Sequence, residues 1–239
     1  MRVGIMQPYF FPYLGHFGLI DSVDDWIIFD VTQYTPKTWM NRNRILHPKE
    51  SWQYVTVPLA NSSISIKTHE TRILDIDKTK QSIIGKISHY KRHAPYFYKV
   101  NEIVSNTFDN TEDGSLVSLN INALQAVCDY LGIPFHYRKA TELGISYPDS
   151  MAPGDWAPLI SSEIGASEYV NPSGGKAIFD KSVFEKKHVD LSFAEFAEFK
   201  YDTGPYEYQP HLSILDVMMW NSTETILDKM RENTTLTKL

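Results

Sequence analysis

The sequence contains one cysteine, no apolar run long enough to cross a membrane and no excess of basic residues. A single cysteine, Cys128, excludes a disulfide within the chain, and its place in the apolar run 124–131 predicts a buried, inert thiol. The 29 acidic residues outnumber the 23 basic ones, so a broad nucleic-acid-binding surface is not expected. The N-terminus has no signal-peptide pattern, so we expect a cytoplasmic protein.

The length of 239 residues and the apolar fraction of 42% are sufficient for one large α/β domain. We expect a single domain over residues 1–239, with a helical insertion around residues 78–131. The expected fold is α/β and Rossmann-like, with a mostly parallel sheet, helices on both faces and a helical C-terminal part.

Residues 3–44 combine apolar and polar segments most densely, and the expected fold is organised around them. Short apolar runs at 3–6 and 26–29 predict two buried strands, and the apolar spacing after Pro12 predicts a helix between them. This order is that of a βαβ unit, whose ligands bind beyond the carboxyl ends of the strands. Gln7 and Asp30 follow those two ends, so we predict that both face the crevice.

The remaining elements are predicted from apolar periodicity and from the positions of proline and glycine. A polar loop is predicted at residues 39–44. Further strands are predicted at residues 52–57, 72–76, 135–137, 168–170 and 191–193. Further helices are predicted at residues 78–90, 96–108, 116–131, 156–164 and 213–231.

The segment Asn41-Arg42-Asn43-Arg44, which follows Trp39, is the foremost candidate for binding a ligand. Two guanidiniums can form forked hydrogen bonds with a phosphate or carboxylate, and the indole offers a surface for stacking. An exposed polar turn is the alternative, although such turns carry Gly, Asp or Lys more often than alternating Asn and Arg. The pattern therefore predicts an anion-binding segment.

A second candidate loop, Ser173-Gly174-Gly175-Lys176, follows the strand predicted at 168–170. Adjacent glycines allow the backbone to approach an anion closely, and Lys176 supplies a positive charge. An ordinary turn is the alternative explanation for this composition.

No metal site is predicted. His89 and His93 have the spacing of two metal ligands on one helix face, but the sequence shows no recognisable third ligand to accompany them. Asp75-Ile76-Asp77 matches the letters of the Asp-x-Asp metal motif of glycosyltransferases and lies on a weak, polar predicted strand.

Several separated segments together resemble the WbqC-like protein family over essentially the full chain. These segments are IMQPYFFPYLGHFGLI, WIIFDVTQY, WMNRNRI, YVNPSGGKAIFD and HLSILDVMMWN. The resemblance implies a place in bacterial gene clusters for O-antigen, lipopolysaccharide and other surface polysaccharides. It also implies transfer of glycine or a similar acyl group to an amino sugar.

The turn Tyr13-Leu14-Gly15-His16 resembles a second, more distant group, the nucleotidyltransferases and pantothenate synthetases with a His-x-Gly-His turn. In those enzymes the histidines and the helix N-terminus hold the phosphates of ATP. The resemblance implies ATP as a cofactor and His16 as a catalytic residue. Tyr13 replaces the first histidine, so the alternative is that His16 is a half-buried packing residue.

These observations lead us to expect an amide-forming transferase that acts on a nucleotide-linked amino sugar. Arg42 and Arg44 would hold the diphosphate, Asp30 would deprotonate the amine and Gln7 would orient the substrate. Asp30 capping a loop is the alternative for that carboxylate. The acyl donor would be activated with ATP or by another protein, and whether the chain forms a homo-oligomer is left open.

Two other residues near the exit of the second predicted strand, Gln33 and Tyr34, are assigned to substrate binding. Two other function classes stay open at this point. One is a glycosyltransferase of unusual type, and the other is a non-catalytic protein that binds a sugar nucleotide in the same pathway.

Overall fold

The structure, a computed structural model, describes residues 1–61, 63, 65–148 and 150–239. Within them the chain forms strands β1 Arg2–Met6, β2 Asp25–Ile28, β3 Arg42–Leu46, β4 Trp52–Thr56, β5 Tyr137–Lys139, β6 Glu168–Pro172, β7 Asp190–Phe196 and β8 Thr234–Lys238. Six strands form one sheet in the order β5-β2-β1-β6-β7-β8, and of these β8 is antiparallel to its neighbour. β3 and β4 form a separate antiparallel hairpin. The predicted mostly parallel α/β sheet is confirmed.

Helices cover both faces of this sheet, as predicted. The helices are α1 Leu14–Asp21, α2 Ile76–Ile87, α3 Phe97–Asp109, α4 Leu116–Leu131, α5 Trp156–Glu163, α6 Lys181–Glu185, α7 Ile214–Trp220 and α8 Thr223–Asn233. One face packs with α1, α4, α7 and α8 into the larger apolar core, and the other face packs with α5 and α6. In the described part of the chain, no helix is both long and apolar enough to cross a membrane.

The predicted βαβ unit is present, and β1 and β2 are parallel neighbours. Val3 pairs with Asp25, and Met6 pairs with Ile28. On its other side β1 pairs with β6. The chain therefore extends the sheet from β1 through β2 to β5 on one side and later from β6 to β8 on the other side. This reversal creates a topological switch point at the carboxyl ends of β1 and β6, where open α/β sheets bind ligands.

Two predicted segments differ from the structure in the region of the hairpin. The predicted polar loop at 39–44 is partly a strand, because Arg42 already pairs with Thr56 as the first residue of β3. The predicted strand at 72–76 is wrong. Ile73 forms an isolated bridge with Leu59, and the Asp75 carboxylate caps α2 by accepting a hydrogen bond from the Lys78 amide at 3.0 Å.

The C-terminal part also differs from its prediction. The predicted helix 213–231 is divided into α7 and α8, because Ser222 caps α8 by accepting a hydrogen bond from the Thr225 amide at 3.2 Å. Strand β8 was not predicted, since its sequence TTLTK has only one apolar residue. It pairs with β7, whose edge it covers.

A buried carboxylate joins three parts of the larger core. Asp216 in α7 is fully buried and accepts hydrogen bonds from the Tyr201 hydroxyl at 2.6 Å and from the Tyr90 hydroxyl. The Tyr90 hydroxyl oxygen in turn accepts a hydrogen bond from the Leu46 amide at 2.9 Å. This network ties α7 to β3 and to the short 3-10 helix Ser88–Arg92.

The Asp216 carboxylate should make stability depend on pH. Burial raises its pKa from 3.8 to about 6, although the two tyrosine hydroxyls act in the opposite direction. The native state therefore binds more protons than the unfolded chain between these values, and the unfolding free energy falls as pH rises from about 4 to about 6. The shift corresponds to about 3 kcal/mol.

Urea denaturation of wild type and Asp216→Asn at several pH values measures this effect. We expect the stability advantage of the wild type over the variant to be largest near pH 4 and to shrink up to about pH 6. Asp180→Asn, at the exposed cap of α6, serves as the control. An advantage of the wild type that stays constant with pH would contradict the assignment.

Candidate functional site

A cleft of about 1140 Å³ opens at the carboxyl ends of β1, β2 and β6. Gln7 follows β1, Phe29 follows β2 and Asn171 lies near the end of β6, and all three side chains line it. The cleft therefore lies at the switch point of the sheet, where the βαβ pattern predicts a ligand crevice.

The turn between β1 and α1, residues 7–13, is held in place by buried amides. Asn43 donates from Nδ2 to the carbonyls of Phe10 at 3.1 Å and Phe11 at 2.9 Å. Asn120 donates from Nδ2 to the carbonyls of Pro8 and Met40, each at 2.8 Å. Buried carbonyls need such partners, so these two asparagines fix the wall of the cleft that carries Gln7 and Tyr9.

One residue of this turn has a strained backbone. Phe11 has φ +39°, in the left-handed region that large side chains rarely adopt. Its ring is completely buried, and its carbonyl also accepts a hydrogen bond from the Ser213 hydroxyl at 2.7 Å. Burial and hydrogen bonding together offset the strain.

Aromatic side chains form one wall of the cleft. The Trp156 ring contacts Phe29 at a centroid distance of 5.4 Å and Tyr147 at 5.5 Å. Tyr9 and Phe179 also line the cleft. Such a wall suits the flat face of a nucleobase or the apolar face of a sugar ring.

His69 brings an imidazole to the cleft. Its Nδ1 lies 3.1 Å from the backbone carbonyl oxygen of Asp30, which also accepts a hydrogen bond from the His69 amide at 3.0 Å. A carbonyl can only accept, so Nδ1 is the donor in this contact, and Nε2 is the ring nitrogen left to accept a proton. The arrangement gives the cleft an oriented basic nitrogen.

Asp30 supports the cleft without lining it. Its carboxylate oxygens accept hydrogen bonds from the Thr141 amide at 3.0 Å and the Thr141 hydroxyl at 2.8 Å. The residue is 1% exposed, and Thr141 rather than Asp30 lines the cleft. In this geometry Asp30 positions Thr141 through its side chain and His69 through its backbone.

Lys67 places a positive charge on the cleft wall, close to His69. Among the residues that the structure describes, no Asp or Glu side chain lines the cleft. Lys67 therefore offers a charge for an anionic ligand such as a phosphate ester.

The predicted loop at 173–176 contributes part of its residues to the cleft. It forms a 3-10 helix, Ser173–Ile178, of which Gly174 and Gly175 line the cleft. A Cβ at Gly175 would lie 2.2 Å from Nδ2 of Asn171, so only glycine permits this close approach. Ser173 and Lys176 do not line the cleft, and Nζ of Lys176 forms an ion pair with Glu195 at 2.7 Å.

Asn171 is itself fixed by a buried tyrosine. The Tyr169 hydroxyl donates to Oδ1 of Asn171 at 2.7 Å, and Asn171 donates from Nδ2 to the Pro172 carbonyl at 2.8 Å. Burial raises the pKa of Tyr169, so its hydroxyl stays protonated and acts as the donor. Both side chains line the cleft.

The structure places the predicted anion-binding segment elsewhere. Asn41, Arg42, Asn43 and Arg44 do not line the cleft. Arg42 and Arg44 lie on the outer face of the β3–β4 hairpin with Trp39, while Asn43 points inward to the 7–13 turn. Of the other predicted binding residues, Gln33 lines the cleft, whereas Tyr34 is buried in the core.

The turn that resembles the nucleotidyltransferases also lies away from the cleft wall. His16 is 2% exposed on α1, with its ring 5.6 Å from Tyr9 and 5.1 Å from Trp26 between centroids. Tyr13 contacts Phe196 edge to face. A Cβ at Gly15 would lie 2.8 Å from Cβ of Phe196, so this glycine serves packing of α1 against β7.

Replacing His16 by phenylalanine tests whether this ring serves packing. Burial lowers the pKa of His16 to about 3, and its buried Nε2 has no partner among the described residues. His16→Phe removes an unsatisfied nitrogen worth about 1–3 kcal/mol and roughly keeps the ring. We expect an unchanged or higher melting temperature and unchanged ligand binding. Lost nucleotide binding at an unchanged melting temperature would contradict packing.

Several cleft residues carry no pattern in the sequence that would identify them. Lys67 and His69 come from the segment that follows β4, and Thr141 comes from the segment that follows β5. Their proximity depends on the carbonyl and carboxylate of Asp30, which no local spacing encodes. Among the described residues, no group of three or more His, Cys, Asp or Glu side chains could hold a metal ion.

Comparison with known proteins places the chain in a family. The model of the WbqC-like protein family matches residues 7–228. The chain is 30% identical over 223 residues to a protein of Mycobacterium tuberculosis named "Uncharacterized protein Rv1507c". The alignment covers 91% of this chain and 92% of that protein. No solved structure matches the chain. The family resemblance of the sequence motifs is thus confirmed, and the chain belongs to the WbqC-like protein family.

Proposed function

We propose that the chain is a cytoplasmic enzyme of bacterial surface-polysaccharide synthesis that acylates a nucleotide-linked amino sugar, for example with a glycyl group. The observation that carries this proposal is the His69 imidazole on the cleft, with Nδ1 held by the Asp30 carbonyl and Nε2 left basic. An oriented base of this kind removes a proton from an attacking amine.

The reaction would proceed by attack of the sugar amine on the carbonyl carbon of an activated acyl donor. A C–N bond forms, the bond to the leaving group breaks, and Nε2 of His69 accepts the proton that the nitrogen loses. The proton then passes to the leaving group. Gln7, at the end of β1, would orient the sugar or the acyl group through its side-chain amide.

The nucleotide part fits the other side chains of the cleft. Lys67 would neutralise the diphosphate, and the wall around Trp156 would stack on the base. We therefore assign to Lys67 the diphosphate role that the sequence suggests for Arg42 and Arg44, because neither arginine lines the cleft.

Asp30 takes a positioning role in this scheme. Its two side-chain hydrogen bonds with Thr141 and its lack of exposure keep a substrate amine away from the carboxylate. The base role that the sequence suggests for Asp30 is assigned to His69 instead.

A non-catalytic protein that binds a sugar nucleotide is the second candidate, because it would use the same cleft without needing a base. A glycosyltransferase that uses an Asp-x-Asp metal motif has less support, since Asp75 caps α2 and forms an ion pair with Lys78 at 2.9 Å.

Turnover of His69→Gln separates the enzyme from the binding protein. Glutamine can still donate to the Asp30 carbonyl but has no basic nitrogen. We expect kcat for acyl transfer to fall about a hundredfold or more, while the thermal shift caused by the nucleotide sugar is kept. The measurement uses the purified chain with a panel of nucleotide-linked amino sugars and activated acyl donors.

His93→Gln, at an exposed histidine, is the matched control and should retain full activity. Equal turnover of wild type and His69→Gln would rule out the base role. If nucleotide sugars bind the wild type but no donor gives an amide product, the binding protein is the correct assignment.

A further inference from the structure

The outer face of the β3–β4 hairpin combines two arginines with aromatic rings. Arg44 pairs with Tyr54 across the hairpin, so their side chains share one face. Cζ of Arg42 lies 4.3 Å from the centroid of the Tyr54 ring. Cζ of Arg44 lies 5.1 Å from the Trp52 ring and 5.7 Å from the Trp39 ring. We call these five residues the Arg–aromatic face.

No acidic side chain in the described part of the chain neutralises the two guanidiniums. Arg138 pairs with Asp25, and Arg231 pairs with Asp21. Within the described ranges of the chain, Arg42 and Arg44 form no ion pair with a carboxylate, although the sequence has six more acidic than basic residues. The Arg–aromatic face is therefore a local concentration of positive charge.

The rings hold the guanidiniums but do not satisfy their hydrogen bonds. Nη2 of Arg44 donates to the His211 carbonyl at 3.3 Å. The Nε atoms of Arg42 and Arg44 are buried and have no partner among the described residues. A guanidinium that stacks on a ring through its face keeps its outer N–H edge available for an anion.

We infer that the Arg–aromatic face binds a nucleoside diphosphate at a site separate from the cleft. A phosphate accepts forked hydrogen bonds from a guanidinium, and two guanidiniums suit two phosphates. Trp39 is 42% exposed and offers its ring for a base to stack on. None of the five residues lines the cleft, so this inference does not rest on the proposed function.

Fluorine NMR of the full chain labelled with 5-fluorotryptophan resolves the two sites. The chain has five tryptophans, and single Trp→Phe variants assign their resonances. Trp39 and Trp52 report on the Arg–aromatic face, Trp156 reports on the cleft, and the buried Trp26 reports on the fold. We expect a titration with UDP to shift the Trp39 and Trp52 resonances with a common affinity.

Variants and ligand fragments test the chemistry of recognition. Arg42→Ala and Arg44→Ala should each weaken the UDP affinity measured at Trp39 and Trp52 at least tenfold. Uridine and inorganic pyrophosphate, which each lack one recognised part, should bind more weakly than UDP. Arg231→Ala removes the same charge from α8 and should leave this affinity unchanged.

His69→Gln, a change in the cleft, should not alter the affinity at this face either, so the two proposals fail separately. An unchanged Trp26 resonance shows that a variant is folded. If an alanine variant does not fold, Arg44→Lys keeps the charge and should still lose the affinity, since lysine lacks the fork. Unchanged affinity in both arginine variants, or UDP shifts at Trp156 alone, would overturn the inference.

Discussion

The cleft depends on how the chain turns after β1. Residues 7–13 bury aromatic rings, and this brings their backbone carbonyls out of reach of water. Asn43, Asn120 and Ser213 supply the missing hydrogen-bond donors from three distant parts of the chain. Because an unpaired buried carbonyl is costly, the turn has one well-defined position only when all three elements have docked.

A second constraint lies at the end of β2, where Asp30 uses both its backbone and its side chain. Its carbonyl orients His69, and its carboxylate holds Thr141, so one buried residue joins two chain segments that line the cleft. The segments that connect the strands therefore carry the polar side chains of the cleft, and the sheet beneath them fixes where these side chains lie. The proposed base role of His69 follows from this support.

The sequence allowed the frame to be predicted better than the site. The parallel pairing of β1 with β2 follows from local patterns, and so does helix α4, which ends before Gly132 at φ +71°. Both predictions are confirmed. The cleft's position at the strand ends follows from the same topology. By contrast, the inward amide of Asn43 and the contact of His69 with Asp30 depend on tertiary packing, which residue spacing does not encode. Strand β8 was missed for a related reason, since its pairing with β7 overrides a weak local propensity.

Hydrogen exchange in Asn120→Leu tests whether buried amides hold the 7–13 turn in place. The variant keeps much of the side-chain volume but leaves the Pro8 and Met40 carbonyls without their donor. The Phe10 amide, which donates to the Trp39 carbonyl at 2.8 Å, reports on the turn. We expect exchange at Phe10 that is faster by about tenfold or more, with unchanged protection in β1 and β6. Unchanged exchange at Phe10, in a variant whose sheet remains protected, would contradict this role of the buried amides.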